Sequence, residues 1–438
     1  MSLRSRISTE LSYGLTTFTI LTLMAWKPPG LLITQIPDLF EELLDLIEDV
    51  AFDIPEDDLP RNAPHSAIIT HRYLVNSILE ESVSPFSGLK PRRGEKLQKV
   101  GPGQRPGDII LAATNIIRNL SVSPENAETL AKHERALSTL LRLCSFKEPK
   151  DGSPPTALSS ELSTNDVMQI RRDVVNTIVG IGPVMHLSTW KTRDARRLYE
   201  VLASYIIDPS EAVPPFSCLL LNGLPAHVHQ TPKVPGLVDA ALEAFTRVSH
   251  LDENRQVLFA SIPEDWLWVM FEALVHRLPV ENADFQVVTR ADWLAYLERV
   301  MMAIYSIAFL ASPGLKQRMK DDRQLAFPKV MLRLIKKLTT LAETNSRQHF
   351  AVAVRRAIEA LKLVDEAGDS FDVSPSTMPT LAFGMGYGEH GESRVEKGMG
   401  ILSGYQEDVT WGVMMMREVD ELMFNELVSL VRVQPEVN

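Results

Sequence analysis

Apolar residues recur at helical spacing along most of the chain. From 37 to 50, Phe40, Leu43, Leu44, Ile47 and Val50 fall on one side of a helix, and Asp38, Glu41, Glu42, Asp45, Glu48 and Asp49 take the other. Pro37 suits the first helical position and Asp38 the positive end of the helix dipole. The same period predicts helices over 108–121, 124–146, 167–181, 192–206, 237–250, 254–261, 291–311, 327–344 and 347–365, bracketed by breakers such as Pro124, Pro183, Pro263, Pro313 and Gly368. The apolar run 11–26 is too short for a membrane span and carries Ser12, Thr16, Thr17, Thr19 and Thr22, so it reads as a buried helix with no targeting signal. A last amphipathic helix is expected over 407–433, bearing Trp411 and the run Met414, Met415 and Met416. Strand-like alternation is hard to find, so the expectation is an all-α chain.

Many medium-length helices with short breakers suggest internal repetition. Arg118-Asn119-Leu120-Ser121 through Glu125-Asn126 matches Arg247-Val248-Ser249 through Glu253-Asn254 when Leu120 is laid on Val248, an offset of 128 residues. A third of that offset is about 43 residues, near the period of armadillo and HEAT units. A weaker copy runs from Ile307 to Pro313. Such repeats arise because one helical hairpin has too little area to bury its own apolar face and must stack on neighbours. The fold expected is an armadillo/HEAT-like right-handed α-solenoid with long inserted loops. Its parts are N-terminal helical repeats (1–82), a basic Pro/Gly loop (83–107), a repeat core (108–365), a Gly-rich loop (366–403) and a C-terminal amphipathic helix packed on the solenoid (404–438). Within the core, 147–165 and the proline-rich 207–235 read as further loops.

Charge narrows the functions. The net charge of −11 opposes general attraction to phosphate backbones. The basic cluster Lys90, Arg92, Arg93, Lys96, Lys99 and Arg105 is the candidate for an electrostatic contact with DNA, a nucleosome or an acidic partner, against a solvated linker. Ten acidic residues lie between 38 and 58, a solvated helix face first and a dock for a basic partner second. Two cysteines, Cys144 and Cys218, form neither a disulfide framework nor a zinc site alone, which fits a reducing compartment.

Asn119-Leu120-Ser121 closes the segment 111–121 as the third helix of an armadillo repeat closes. Together with 122–133, which runs from Val122 through Pro124 and Asn126 to Lys132-His133, it resembles the C-terminal core of the ARID-bearing subunit of SWI/SNF chromatin remodellers, where an "ILRNLS" helix precedes a Pro- and Asn-bearing turn and a Lys-His. Asp173-Val174-Val175-Asn176-Thr177-Ile178 and the Asp252-Glu253-Asn254-Arg255 junction, similar to that family's "DENR", follow in the same order across 108–260. No ARID DNA-binding module is present, and the related ARID subunit of the RSC/PBAF class is similar as well. The resemblance implies a nuclear, non-enzymatic scaffold that organises the subunits of a remodelling complex and docks a segment of its ATPase. An armadillo-type adaptor outside chromatin is the alternative.

The candidate chemistry agrees with a scaffold. Asn119 matches the asparagine with which peptide-carrying armadillo proteins bond an extended ligand, yet Arg247 at the aligned position breaks that ladder. Trp266, Trp268, Trp293 and Trp411 are candidate partner anchors, with core packing the competing role. Gly386, Gly388 and Gly391 match a dinucleotide fingerprint without the strand and helix it needs. His227 and His229 lack zinc-like companions, and His65 and His71 with Asp57 and Asp58 lack a nucleophile. No catalytic, cofactor or metal residue is assigned, and neither a small-molecule substrate nor a membrane is expected.

Overall fold

The computed structural model describes residues 3, 8–23, 30–52, 67–83, 105–147, 155–208, 233–341, 347–366, 400–405, 409 and 421–431. Among them the chain is all-α, apart from a two-stranded antiparallel ladder that pairs Phe146 with Ala157 and Lys147 with Thr156. The basic residues Lys90, Arg92, Arg93, Lys96 and Lys99, together with Trp411, His65, His227, His229, Cys218 and the glycine run near 386, lie outside the described residues. Two compact units result: the first reaches to Asp208 and takes in Pro235–Trp266, and the second is built mainly from Leu267 onward.

The first unit contains α1 (Ser8–Leu23), α2 (Pro37–Ala51), α3 (His71–Val83), α4 (Pro106–Leu120), α5 (Pro124–Ala131), α6 (Glu134–Leu143), α7 (Thr164–Ile181), α8 (Thr192–Ile206), α9 (Gly236–Val248) and α10 (Asp252–Ser261). Local chemistry sets many of their ends. Pro37, Pro106 and Pro124 occupy first turns, where a missing N–H is harmless. Ser163 and Asp166 form a reciprocal capping box at the start of α7. The segment 124–146, expected as one helix, is two: the His133 imidazole accepts from the Ala136 amide and starts α6 afresh.

Packing follows a regular succession. α1 packs on α4, α4 on α7 and α7 on α9, while α2 packs on α6 and α6 on α8, with α10 also against α8. The seams are apolar, with Ile110, Ala113, Ile117, Val167, Ile170, Val174, Ile178, Ala241 and Phe245 all buried. Gly180 permits the close joint between α7 and α4, since a Cβ there would come within 2.8 Å of the Ser121 carbonyl oxygen. The helix expected within 11–26 buries only Leu11, Leu15, Phe18 and Thr22; Tyr13, Ile20, Leu21 and Leu23 face outward, so it is not a buried helix all round. The acidic face of α2 is not simply solvated either. Arg135 on α6 bonds Glu41 at 2.8 Å, Asp45 at 2.5 Å and Glu48 at 2.8 Å.

The second unit, with α11 (Glu264–His276) entering it at Leu267, holds α12 (Asn282–Val288), α13 (Ala291–Leu310), α14 (Pro313–Asp321), α15 (Phe327–Leu341), α16 (Arg347–Glu366) and α17 (Glu421–Leu430). α16 packs on α13, α14 and α15, and α17 packs on α16. α13 is long and apolar enough to cross a membrane by length and composition alone. Here Trp293, Tyr296, Val300, Ile304 and Ile307 of that helix are buried in the unit's core. A buried Asp365 ties α16 to later chain, accepting from Lys320 at 3.0 Å and from the Ile401 amide at 2.7 Å.

Candidate protein-docking surface

Several polar side chains of the first unit sit near the ends of α4, α7 and α9, which pack in succession. Ser121, Gly182 and Ser249 are the C-terminal capping residues of those three helices. Six residues before each stand Asn115, Asn176 and Glu243, and two residues before each stand Asn119, Gly180 and Arg247. The chemistry at corresponding distances from the caps therefore changes from helix to helix.

Asn119 is half-buried; its amide donates to Asn115 Oδ1 at 3.2 Å and to Thr22 Oγ1 at 3.4 Å. It thus bridges α4 to α1, with Asn115 beside it. Arg118 and Arg172 flank the buried Asp173 carboxylate at 3.8 and 3.9 Å, and Asp173 Oδ1 has no hydrogen-bond partner. Burial pushes the Asp173 carboxyl above its ordinary range, with the two guanidinium groups opposing. Arg172 is exposed, and Asn176 one turn on returns its amide to the Arg172 carbonyl at 3.0 Å. Arg247 donates to the Val179 carbonyl at 2.6 Å and pairs with Glu243, which closes the end of α7. Arg118, Arg172 and Arg247 are 40 %, 52 % and 40 % exposed, so guanidinium groups of α4, α7 and α9 remain accessible to acceptors on another polypeptide.

Three of the four candidate tryptophans lie among the described residues. Trp266 and Trp268 are each 8 % exposed and Trp293 is 2 % exposed, so all three are packing residues in this chain. Trp266 stacks on Tyr199, whose hydroxyl donates to the Trp266 carbonyl at 3.2 Å. In the second unit the Arg318 guanidinium lies 3.8 Å over the Trp268 ring, and Trp293 meets Tyr296 edge to face. Arg105 directs its guanidinium inward, to Asp108 at 2.9 Å and to Asp166 at 2.8 Å.

Two groupings were not foreseen. A cleft of about 290 Å³ is lined by Glu48, Glu134, Arg135, Trp190, Lys191 and Asp194 among others. Separately, the buried Arg171, Tyr205 and Cys144 gather with the half-buried Glu200 and His71. Arg171 Nε donates to the Cys144 carbonyl at 2.9 Å, and its guanidinium lies 4.8 Å over the Phe146 ring. Burial raises the Cys144 thiol to about 12, so it stays protonated and is no nucleophile near neutrality. Among the described residues no three His, Cys, Asp or Glu side chains are grouped to hold a metal ion. No protein-family model matches the chain, and no curated protein matches it.

Proposed function

We propose that this protein is a non-enzymatic scaffold whose helices stack as an armadillo-like α-solenoid, and that it serves as an architectural subunit of a SWI/SNF-type chromatin-remodelling complex. The carrying observation is a repeated joint. Asn126 Oδ1 accepts from the Ile33 amide at 2.9 Å while its Nδ2 donates to the Leu31 carbonyl at 2.9 Å. Asn254, 128 residues later, accepts from the Leu187 amide at 2.7 Å and donates to the Met185 carbonyl at 2.8 Å. Each asparagine clasps a carbonyl and an amide two residues apart, in the segment leading into α2 or α8. The same bond pattern at the same place in two helix triplets supports a structural repeat rather than chance likeness of letters.

The chromatin part of the reading rests on the ordered resemblance across 108–260, and the part-exposed Arg118, Arg172 and Arg247 support a docking surface for an acidic or polar partner segment. The full chain, tagged and recovered from nuclear extract, is expected to bring down a remodelling ATPase and its core subunits, identified by mass spectrometry. Arg172→Glu together with Asn176→Asp should reduce that recovery several-fold while leaving the fold intact. Recovery of other partners without any remodelling ATPase would remove the chromatin assignment.

A further inference from the structure

Asp173, in the middle of α7, is an acid that the fold seals off, yet its counter-charge comes from part-exposed side chains. Arg118 of α4 and Arg172 of α7 approach the same carboxylate oxygen at 3.8 and 3.9 Å, too far for a hydrogen bond. Two guanidinium groups from adjacent helices therefore stand over one buried carboxylate, loosely held beneath and open above. Among the described residues these are the two cations that act on Asp173, and the Tyr205 phenol of α8 lies near enough to feel its charge. α9 brings Arg247 and Glu243 to the end of α7, where they pair with each other.

A carboxylate sealed in protein stays ionised only while nearby positive charge makes up for lost hydration; otherwise it takes up a proton. Burial already pushes the Asp173 carboxyl above its ordinary range, and only the two guanidinium groups oppose that. Arginine, for its part, favours a carboxylate that it can meet edge-on with two short bonds over one held at nearly 4 Å. We propose that Arg118 and Arg172 clamp a carboxylate of a partner's acidic segment, and that Asp173 takes up a proton from solvent as that segment docks. The partner's carboxylate replaces that of Asp173 as counter-ion, so the charge of the joint is the same before and after. Docking then tightens as pH falls, down to the range where the partner's own acids protonate. A single carboxylate fills the clamp, whereas the chain's net charge of −11 opposes the long phosphate array of a nucleic acid. The clamp rests on the docking surface of the scaffold reading and gives it a partner chemistry and a proton linkage.

The probe is a fluorescein-labelled hexaglutamate peptide, followed by fluorescence anisotropy against the full chain, with hexaglutamine as the neutral control. At pH 7.5, Asp173→Asn should bind hexaglutamate about tenfold more tightly than the unaltered chain, and the gap should narrow several-fold by pH 5.5 as the native carboxyl gains its proton. Arg172→Gln, at an exposed position, should weaken binding about tenfold. Calorimetry in two buffers of different ionisation enthalpy should show proton uptake on binding by the unaltered chain and none by Asp173→Asn. Arg172→Gln and the calorimetry of the unaltered chain require no buried substitution, so they decide the matter even where Asp173→Asn fails to fold. No binding, binding without proton uptake, full affinity in Arg172→Gln, or preference for a DNA duplex over the peptide would each overturn the proposal. A chain that fails here but still brings down a remodelling ATPase would keep the scaffold reading and lose only the clamp.

Discussion

The turn around Asn126 and the turn around Asn254 share a Ser, a Glu and the Asn at aligned positions and make the same pair of backbone bonds, but they are not equally demanding. Asn254 makes a third bond, to the Val248 carbonyl at 2.9 Å, and is completely buried; Asn126 is 1 % exposed and makes two. The helices leading into the two turns diverge further. Asn119 reaches back to α1, whereas Arg247 reaches across to the end of α7. The two buried asparagines thus share one bonding solution, while the residues two and six positions before the preceding caps differ. The shared bonds fasten interior chain, and the differing residues give each helix end its own surface.

The largest expected effect breaks that inner symmetry. Asn254→Ala strands the Leu187 amide and the Met185 and Val248 carbonyls, and should cost about 3 kcal/mol, against about 2 kcal/mol for Asn126→Ala, in urea unfolding. Equal losses would mean the third bond is worth nothing. Next comes the joint between α4 and α7: Gly180→Ala places a Cβ against the Ser121 carbonyl and should cost about 1–3 kcal/mol by thermal melting. Gly236→Ala, with nothing within 4 Å of the new methyl, serves as the neutral control.

The smallest effect compares the arginines that fasten the two joints. Arg105→Ala removes the pairing with Asp166 and should cost about 2 kcal/mol at neutral pH; Arg247→Ala should cost nearer 1 kcal/mol. Burial alone would push the Asp166 carboxyl up, but the Arg105 guanidinium and the Ser163 hydroxyl and amide outweigh it and hold it below the usual range. Its contribution is therefore complete above the ordinary carboxylate range and fades as pH falls through the lowered value. The penalty of Arg105→Ala should shrink in acid, followed by unfolding at pH 7 and at pH 3.

Much of the helical framework was legible because one face of each helix is buried and the other wet. α8 falls on its expected span, 192–206, and α2 differs from expectation by a single residue at its end. The reading failed where that contrast vanishes. α11 carries Trp266, Leu267, Trp268, Met270, Phe271 and Leu274 around most of its circumference, so no period marks it out. The break between α5 and α6 was invisible because the apolar spacing continues across His133. Asn126 and Asn254 were visible as matching letters, but their work could be seen only once the segments 31–33 and 185–187 were in place, 93 and 67 residues earlier in the chain. Arg171 gave no signal, since an arginine inside a helical pattern normally marks the wet side.

The buried asparagines bear on fidelity of assembly as well as on strength. Near-equivalent helical hairpins in one polypeptide face an ambiguity during folding, because oily stripes of similar width accept one another without discrimination. A carboxamide sealed in such a stripe is selective, since it tolerates only a neighbour that offers an acceptor and a donor at the right separation, and any other leaves it stranded in grease. Asn126 and Asn254 would then act as proofreading points, rejecting helices packed out of order before the core closes.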